Sequence, residues 1–234
     1  MQDKKTLQRF NRIEQKDNKI MSEEHVPADY TEMDLVKAKR FDKKVKENFM
    51  PAIISTVKQI TEDYGVLEGI GIDVGCGTAV FAIELCKHSK LRIYALEKEK
   101  AIYEVARINI EKEALTDKII PVLGDAHELP FDNDFADFII SRGSYHCWED
   151  KVQVFKEIYR VLKKDGIALI GGGFGRYVTG EDLNRMKSLR DHSLKEDAKA
   201  YNSPDILTEN IKKARITNFR IIYDKAGLWA EIKK

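Results

Sequence analysis

The rhythm of hydrophobic and polar positions changes part-way along this chain. Up to about residue 50 apolar residues are sparse and fall at helical spacing: Leu7, Phe10 and Ile13, then Leu35, Ala38, Phe41, Val45 and Phe49. The stretch 25–30, which contains Pro27, reads as a loop between them. Pro51 suits the first turn of a helix, predicted over 52–64 with Ile53, Ile54, Val57 and Ile60 on its apolar side. From Gly69 onward, short apolar runs alternate with amphipathic stretches. The runs 70–74, 91–96, 119–123, 138–141 and 167–171 predict strands. The stretches 79–88, 100–113 and 151–162 predict helices, and 163–166 a turn. Beyond the glycines at 171–173 and 175 comes a polar, helix-prone stretch, 181–201, then a helix after Pro204. Two further strands, 220–224 and 228–232, are joined by a turn over 224–227.

Strands alternating with helices of this length predict an α/β fold with a doubly wound, mostly parallel, seven-stranded sheet. The near-continuous apolar character of the strands suits a sheet covered on both faces. The last two strands predict a reversed pair at one edge, and residues 1–50 an N-terminal helical cap ahead of a domain over 51–234. At 234 residues such a domain buries about 70–75% of its unfolded surface and needs no staples.

In an open parallel sheet, ligands lie beyond the carboxyl ends of the strands. After the first strand stand Asp73, Gly75, Cys76 and Gly77; after the second, Glu97 and Lys98. After the third come Asp125 and Ala126, and after the fourth Ser141, Arg142 and Gly143. The glycine turn lets backbone approach a ligand closely. A pyrophosphate would be repelled by Asp73, and the dinucleotide pattern G-x-G-x-x-G fails: its sixth position is Val80 counted from Gly75 and Val74 counted from Gly69. The pattern points to a cationic, phosphate-free nucleotide. Glu97 can accept from a ribose diol and Asp125 from an adenine amine, with a backbone N–H of Ala126 or His127 facing a ring nitrogen.

Composition narrows the class. Forty basic and 39 acidic residues leave a net charge of +1, so nothing in the balance calls for a nucleic acid or a membrane. Lys212, Lys213, Arg215 and Arg220 form only a modest basic end, and residues 1–20 carry a basic excess. Cys76, Cys86 and Cys147 are odd in number and dispersed, which fits free thiols in a reducing compartment. With no apolar run long enough to span a bilayer, a soluble, cytoplasmic protein is expected. His25, His88, His127, His146 and His192 are scattered, and no metal site is expected.

The segments IDVGCGTA, YALEKE, GDAHELPF, DFADFIISRGSYHCWED and EIYRVLKKDGIALI together resemble the class I S-adenosylmethionine-dependent methyltransferases, of the small-molecule type similar to the ubiquinone/menaquinone-biosynthesis methyltransferases. The resemblance covers about residues 41–175 and implies a Rossmann-like methyltransferase fold with S-adenosylmethionine as cofactor. It implies that Asp73, Gly75 and Gly77 lie against the methionine part, with Cys76 between the glycines. Glu97 would bind the ribose hydroxyls with Lys98 beside it, and Asp125 and Ala126 the adenine. Ser141 and Gly143, flanking Arg142, would approach the amino-acid end. One departure is Ala79, where the family usually has a third glycine. His146 is the candidate general base, and Tyr145 a candidate catalytic neighbour that also suits an apolar wall with Trp148. The flanks, 1–49 and a helical insertion near 176–203, are expected to fold over the pocket as a lid. The expected acceptor is a small molecule; oligomeric state is left open. A nicotinamide-dependent oxidoreductase, a catalytically silent cofactor-binding sensor and an RNA methyltransferase stand as alternatives.

Overall fold

The computed structural model describes residues 30–193, 203–224 and 227–234. The helical spacing at Leu7, Phe10 and Ile13, the basic excess of 1–20, His25 and the end of the 181–201 stretch lie outside them.

Thr31 opens the first helix, α1 (Glu32–Asn48), with a capping box: its hydroxyl accepts from the Asp34 N–H, and the Asp34 carboxylate accepts from the Thr31 N–H. α2 (Met50–Lys58) starts at Pro51 and runs into a π turn, Gln59–Asp63. The single helix expected over 52–64 therefore changes its hydrogen-bond pattern part-way. Then follow β1 (Glu68–Val74), α3 (Val80–Lys87), β2 (Lys90–Glu97), α4 (Lys100–Lys112) and β3 (Ile119–Leu123). β4 (Ala136–Arg142), a 3-10 turn (Tyr145–Cys147), α5 (Lys151–Val161) and β5 (Leu162–Gly173) come next. α6 (Gly180–Ser193), α7 (Pro204–Lys213), β6 (Phe219–Asp224) and β7 (Gly227–Lys233) complete the order.

The seven strands form one sheet in the order β3-β2-β1-β4-β5-β7-β6. β1 pairs in parallel with both β2 and β4, β3 extends the sheet beyond β2, and β5 lies beside β4. β7 is the reversed strand, antiparallel to β5 on one side and β6 on the other. It lies against the glycines of β5 so closely that a Cβ on Gly171 would stand 2.1 Å from the Leu228 carbonyl. The 163–166 turn is instead an irregularity inside β5. Pairing with β4 steps from Ala136–Leu162 to Phe138–Ile167, and Asp165 takes φ +65°. The Asp165 N–H donates to the Lys234 carbonyl at 2.8 Å, which holds the extra residues against the chain end.

Alternation along the strands feeds two cores. Ile139 joins Val154, Phe155 and Ile158 of α5 and Leu207 and Ile211 of α7 on one face. Phe138 and Ile140 join Ile53 and Val57 of α2 and Phe81 and Leu85 of α3 on the other. A third cluster, Ala52 with Phe174, Val178 and Met186, packs α6 onto α2. β1 has its crossovers on opposite sides, so the crevice at its carboxyl end is the switch point where ligands bind in such sheets.

Candidate active site

The turn after β1 is pulled across the end of β2, because the N–H groups of Gly75 and Cys76 both donate to the Leu96 carbonyl at 2.9 Å. Gly75 sits at φ +72°, and a Cβ there would stand 2.5 Å from the Ser144 Cβ. Ser144 in turn donates to the Val74 carbonyl at 3.0 Å and shares a 2.5 Å hydrogen bond with Ser141. The loops after β1 and β4 are thus interlocked, and only a residue without a side chain fits between them. Next to Gly77, ring carbons of Phe41 from α1 approach to 3.3 Å of where a Cβ would be.

Glu97 closes the far side of the turn. Its Oε2 accepts the Gly77 N–H at 3.0 Å; its Oε1 accepts the N–H groups of Lys98 at 2.9 Å and Glu99 at 3.0 Å. Burial raises its pKa, against the pull of these three donors. Of the roughly four lone-pair sites on a carboxylate, three are in use, which leaves one at Oε2 for a ligand hydroxyl without rearrangement. Lys98 is exposed beside it. A cleft of about 570 Å³ adjoins this turn, lined by Tyr30, Ala38 and Phe41 from the α1 side and by Lys98, Glu99 and Ile102 from the α4 side.

Asp73 is buried, 2% exposed, and its Oδ2 has no hydrogen-bond partner. Burial pushes its pKa up to about 7; the Arg142 guanidinium opposes that and Glu97 adds to it. Arg142 follows Ile140 by two residues on β4 and so shares the face of the sheet that carries α2 and α3. It donates to the Gly173 carbonyl at 3.2 Å, its Nε has no partner, and burial pushes its pKa down to about 10. An unpartnered buried carboxylate oxygen costs free energy unless something donates to it, so this pocket suits a ligand cation or N–H. The buried Thr78 hydroxyl is also unpartnered. Burial lifts the Cys76 thiol well above its ordinary value, helped by Asp73 and Glu97, which makes it a neutral packed group.

Asp125 is exposed in the turn after β3, and Ala126 beside it is buried. Gly143 is exposed and donates its N–H to the Gly171 carbonyl at 2.7 Å. Tyr145 turns inward: its ring meets those of Trp148 and Phe155 at 5.5 and 6.0 Å, and its hydroxyl accepts from Asn210 of α7. That is a wall position. His146 is exposed on the 3-10 turn, and burial of its ring lowers its pKa, followed by repulsion from Lys151.

The strand ends thus bring Asp73, the glycine turn, Glu97 and the Ser141–Gly143 turn around one crevice, with Asp125 at the end of β3. Two positions escape a reading of the sequence. Ser144 has no local signal. Asn109 has one: it is a polar residue on the apolar stripe of α4, between Val105, Ala106 and Ile110. It donates to the Thr78 carbonyl at 2.9 Å and to Asp42 of α1 at 2.8 Å, and accepts from Lys46 at 2.9 Å.

Residues 72–170 match the protein family described as "Methyltransferase domain". A candidate S-adenosyl-L-methionine-dependent methyltransferase from Methanococcus maripaludis, known as a crystal structure, is 32% identical with a TM-score of 0.78. The match covers 90% of this chain and 97% of that one. Among curated relatives, a chloroplastic 2-methyl-6-phytyl-1,4-hydroquinone methyltransferase of Spinacia oleracea is 34% identical over 43% of this chain and 28% of its own length. Demethylmenaquinone methyltransferase of Staphylococcus aureus is 31% identical over 48% of this chain and 46% of its own. The chain thus spans less than half the length of these curated relatives. The near-complete match to the Methanococcus protein places this chain in the family of S-adenosylmethionine-dependent methyltransferases.

Proposed function

We propose that the protein transfers the methyl group of S-adenosylmethionine to a small-molecule acceptor. The observation that carries this reading is the buried Asp73 carboxylate, with one oxygen unpartnered, under a glycine turn. A dinucleotide pyrophosphate would be repelled there; a ligand with an ammonium group and no phosphate is attracted. When bound, the cofactor supplies a methyl group already activated on a sulfonium. The protein's part is to bind, align and exclude water. Asp73 with the turn at Gly75, Cys76 and Gly77 holds the cationic end, and Ser141, Arg142 and Gly143 border it. Glu97 accepts from the ribose, with Lys98 alongside. Asp125 accepts from the adenine amine, and the N–H of Ala126 faces the ring.

The acceptor side is formed by the loop after β4. A lowered His146 pKa keeps the imidazole neutral near pH 7, the form a general base needs. His146→Ala should lower turnover about a hundredfold while leaving cofactor affinity unchanged; equal turnover removes His146 from the chemistry. Tyr145 serves as wall. Of the expected cap over 1–50 and lid near 176–203, the described parts, residues 30–50 and 176–193, act as cap and lid on the domain over 51–234. Supporting this, α1 places Phe41 on the glycine turn and α6 packs on α2. The family match spans residues 72–170, which carry the cofactor turns, so the acceptor is chosen by the flanks. Cys76, Cys86 and Cys147 are unpaired, which supports a reducing compartment such as the cytoplasm. Among the described residues no helix is long and apolar enough to cross a membrane.

Calorimetric titration tests the reading directly. S-adenosylmethionine should bind and NADH should not, and labelled methyl groups should pass to components of a metabolite extract. Binding of NADH without S-adenosylmethionine would overturn it.

A further inference from the structure

His127 stands outside the glycine turn and its strand-end acids, yet every polar atom it offers is engaged. Its backbone N–H donates to Asp125 Oδ1 at 2.8 Å, and its ring Nδ1 lies 2.5 Å from the same oxygen. On the other side of the ring, Nε2 accepts the backbone N–H of Asp150 at 3.1 Å. The His127 carbonyl accepts from the Gln153 side chain at 3.2 Å, while the Gln153 N–H donates to the Asp150 carboxylate at 2.9 Å. A nitrogen that accepts an N–H carries no proton. With Nε2 accepting, the ring hydrogen sits on Nδ1 and points at the Asp125 carboxylate. A donor to an ionised acceptor forms one of the stronger kinds of hydrogen bond.

Two consequences follow for Asp125. Its rotamer is set by two donors on Oδ1, although the side chain is half exposed and would otherwise swing freely in solvent. With Oδ1 taken, Oδ2 is the oxygen left to meet a ligand. The turn after β3 is also tied to the start of α5, directly behind the loop that carries His146.

We propose that His127 is a positioning residue that makes Asp125 a selective reader of a 6-aminopurine. This rests on the cofactor reading above. A fixed carboxylate oxygen accepts from an exocyclic amine, but it faces a carbonyl oxygen when the base is hypoxanthine. A free-swinging carboxylate distinguishes the two far less, because it can turn away from the carbonyl.

The test compares S-adenosylhomocysteine with its inosine counterpart by calorimetry on the full chain. The wild type should favour the adenine compound by about tenfold or more, the value of one hydrogen bond to a charged group. His127→Phe keeps the ring's bulk and removes both ring hydrogen bonds; the preference should fall to less than about threefold, mainly through weaker binding of the adenine compound. His127→Asn, which keeps a donor near Nδ1, should restore much of it. A merely structural role would weaken both ligands alike and leave their ratio unchanged, and an unchanged ratio overturns the proposal. A second readout needs no variant: nitrogen NMR of labelled histidine should find the His127 hydrogen on Nδ1 and none on Nε2, and hydrogen on Nε2 would equally overturn it. If the wild type binds neither nucleoside while its histidine carries hydrogen on Nδ1, the cofactor reading is what has failed.

Discussion

Asp73 combines a proposed role in binding with a cost to stability. In an unfolded chain its carboxyl titrates near 3.8, whereas in the folded protein burial raises that to about 7. The folded state therefore holds the proton more tightly. Asp73's own contribution to stability is fully present below about pH 4, declines as pH rises through the window from 3.8 to 7, and is lost above 7. Asp73→Asn removes the buried charge and keeps the shape. At pH 8 it should be more stable than the wild type by roughly 4 kcal/mol, with the gain vanishing at pH 4; urea unfolding at the two pH values checks this. Binding moves the other way. A cationic ligand favours the ionised carboxylate, so S-adenosylmethionine affinity of the wild type should rise about eightfold between pH 6 and 7.5. The Asn variant should bind weakly with a flat profile. A pH-independent wild type would show that Asp73 does not sense the ligand's charge. Asp73, Glu97 and Asp125 could be picked out in the sequence because each follows an apolar run, where strand-end chemistry is expected. Ser144 could not, since its partner at Val74 lies 70 residues away and nothing local announces it.

At the scale of elements, α3 begins in an unusual way. Ala79 caps it in the left-handed region, φ +61°, with its methyl group fully buried. That conformation costs an L-residue about 1–2 kcal/mol, while burying the methyl returns about 0.8 kcal/mol. The two nearly cancel, so alanine stands here in place of the glycine the family usually has. Ala79→Gly should change stability by less than about 1 kcal/mol. Ala82→Gly, equally buried but inside the same helix, loses both helix propensity and the methyl group, about 2 kcal/mol. Chemical denaturation of the pair decides: equal losses would mean that the backbone at position 79 is not under strain. Most elements were legible because apolar runs and helical stripes leave a local trace; the run 119–123 became β3 without adjustment. The 163–166 stretch misled because its Lys-Lys-Asp-Gly composition is that of a turn. It is held in the sheet by a hydrogen bond to the Lys234 carbonyl, a contact between distant parts of the chain. The π turn after α2 escaped for a similar reason. Its residues dock onto the segment after β5, with Arg176 and Tyr177 both reaching Asp63.

Across the whole molecule, the sheet order puts cofactor chemistry at one end and leaves β6 and β7 away from it. Contacts run from the crevice out to α1 by two routes, the buried Asn109 side chain and the Phe41 ring on Gly77. Thr78 in the glycine turn is held by Asn109, which also holds Asp42 and Lys46 of α1. Ligand binding at the turn should therefore tighten α1 as well. A ligand at a hundred times its dissociation constant stabilises the folded state by about 2.7 kcal/mol, ample to register in hydrogen exchange. With S-adenosylhomocysteine, amides of 75–77, 97–99 and 125–127 should gain protection if the ligand meets those turns directly, as proposed above. The helix segment 38–46 should gain it too, through Asn109 and the Phe41 contact. The β6–β7 pair should change little beyond what global opening contributes, since in the sheet order it lies beyond β5, away from β1 and β2. Asn109→Leu separates the direct from the relayed effect. It should keep ligand protection at 97–99 and lose most of it over 38–46, at a stability cost of about 1–3 kcal/mol for the partners left unpaired. Undiminished protection of α1 in that variant would mean that Phe41 or the ligand itself carries the effect to the helix, and that Asn109 is not the link.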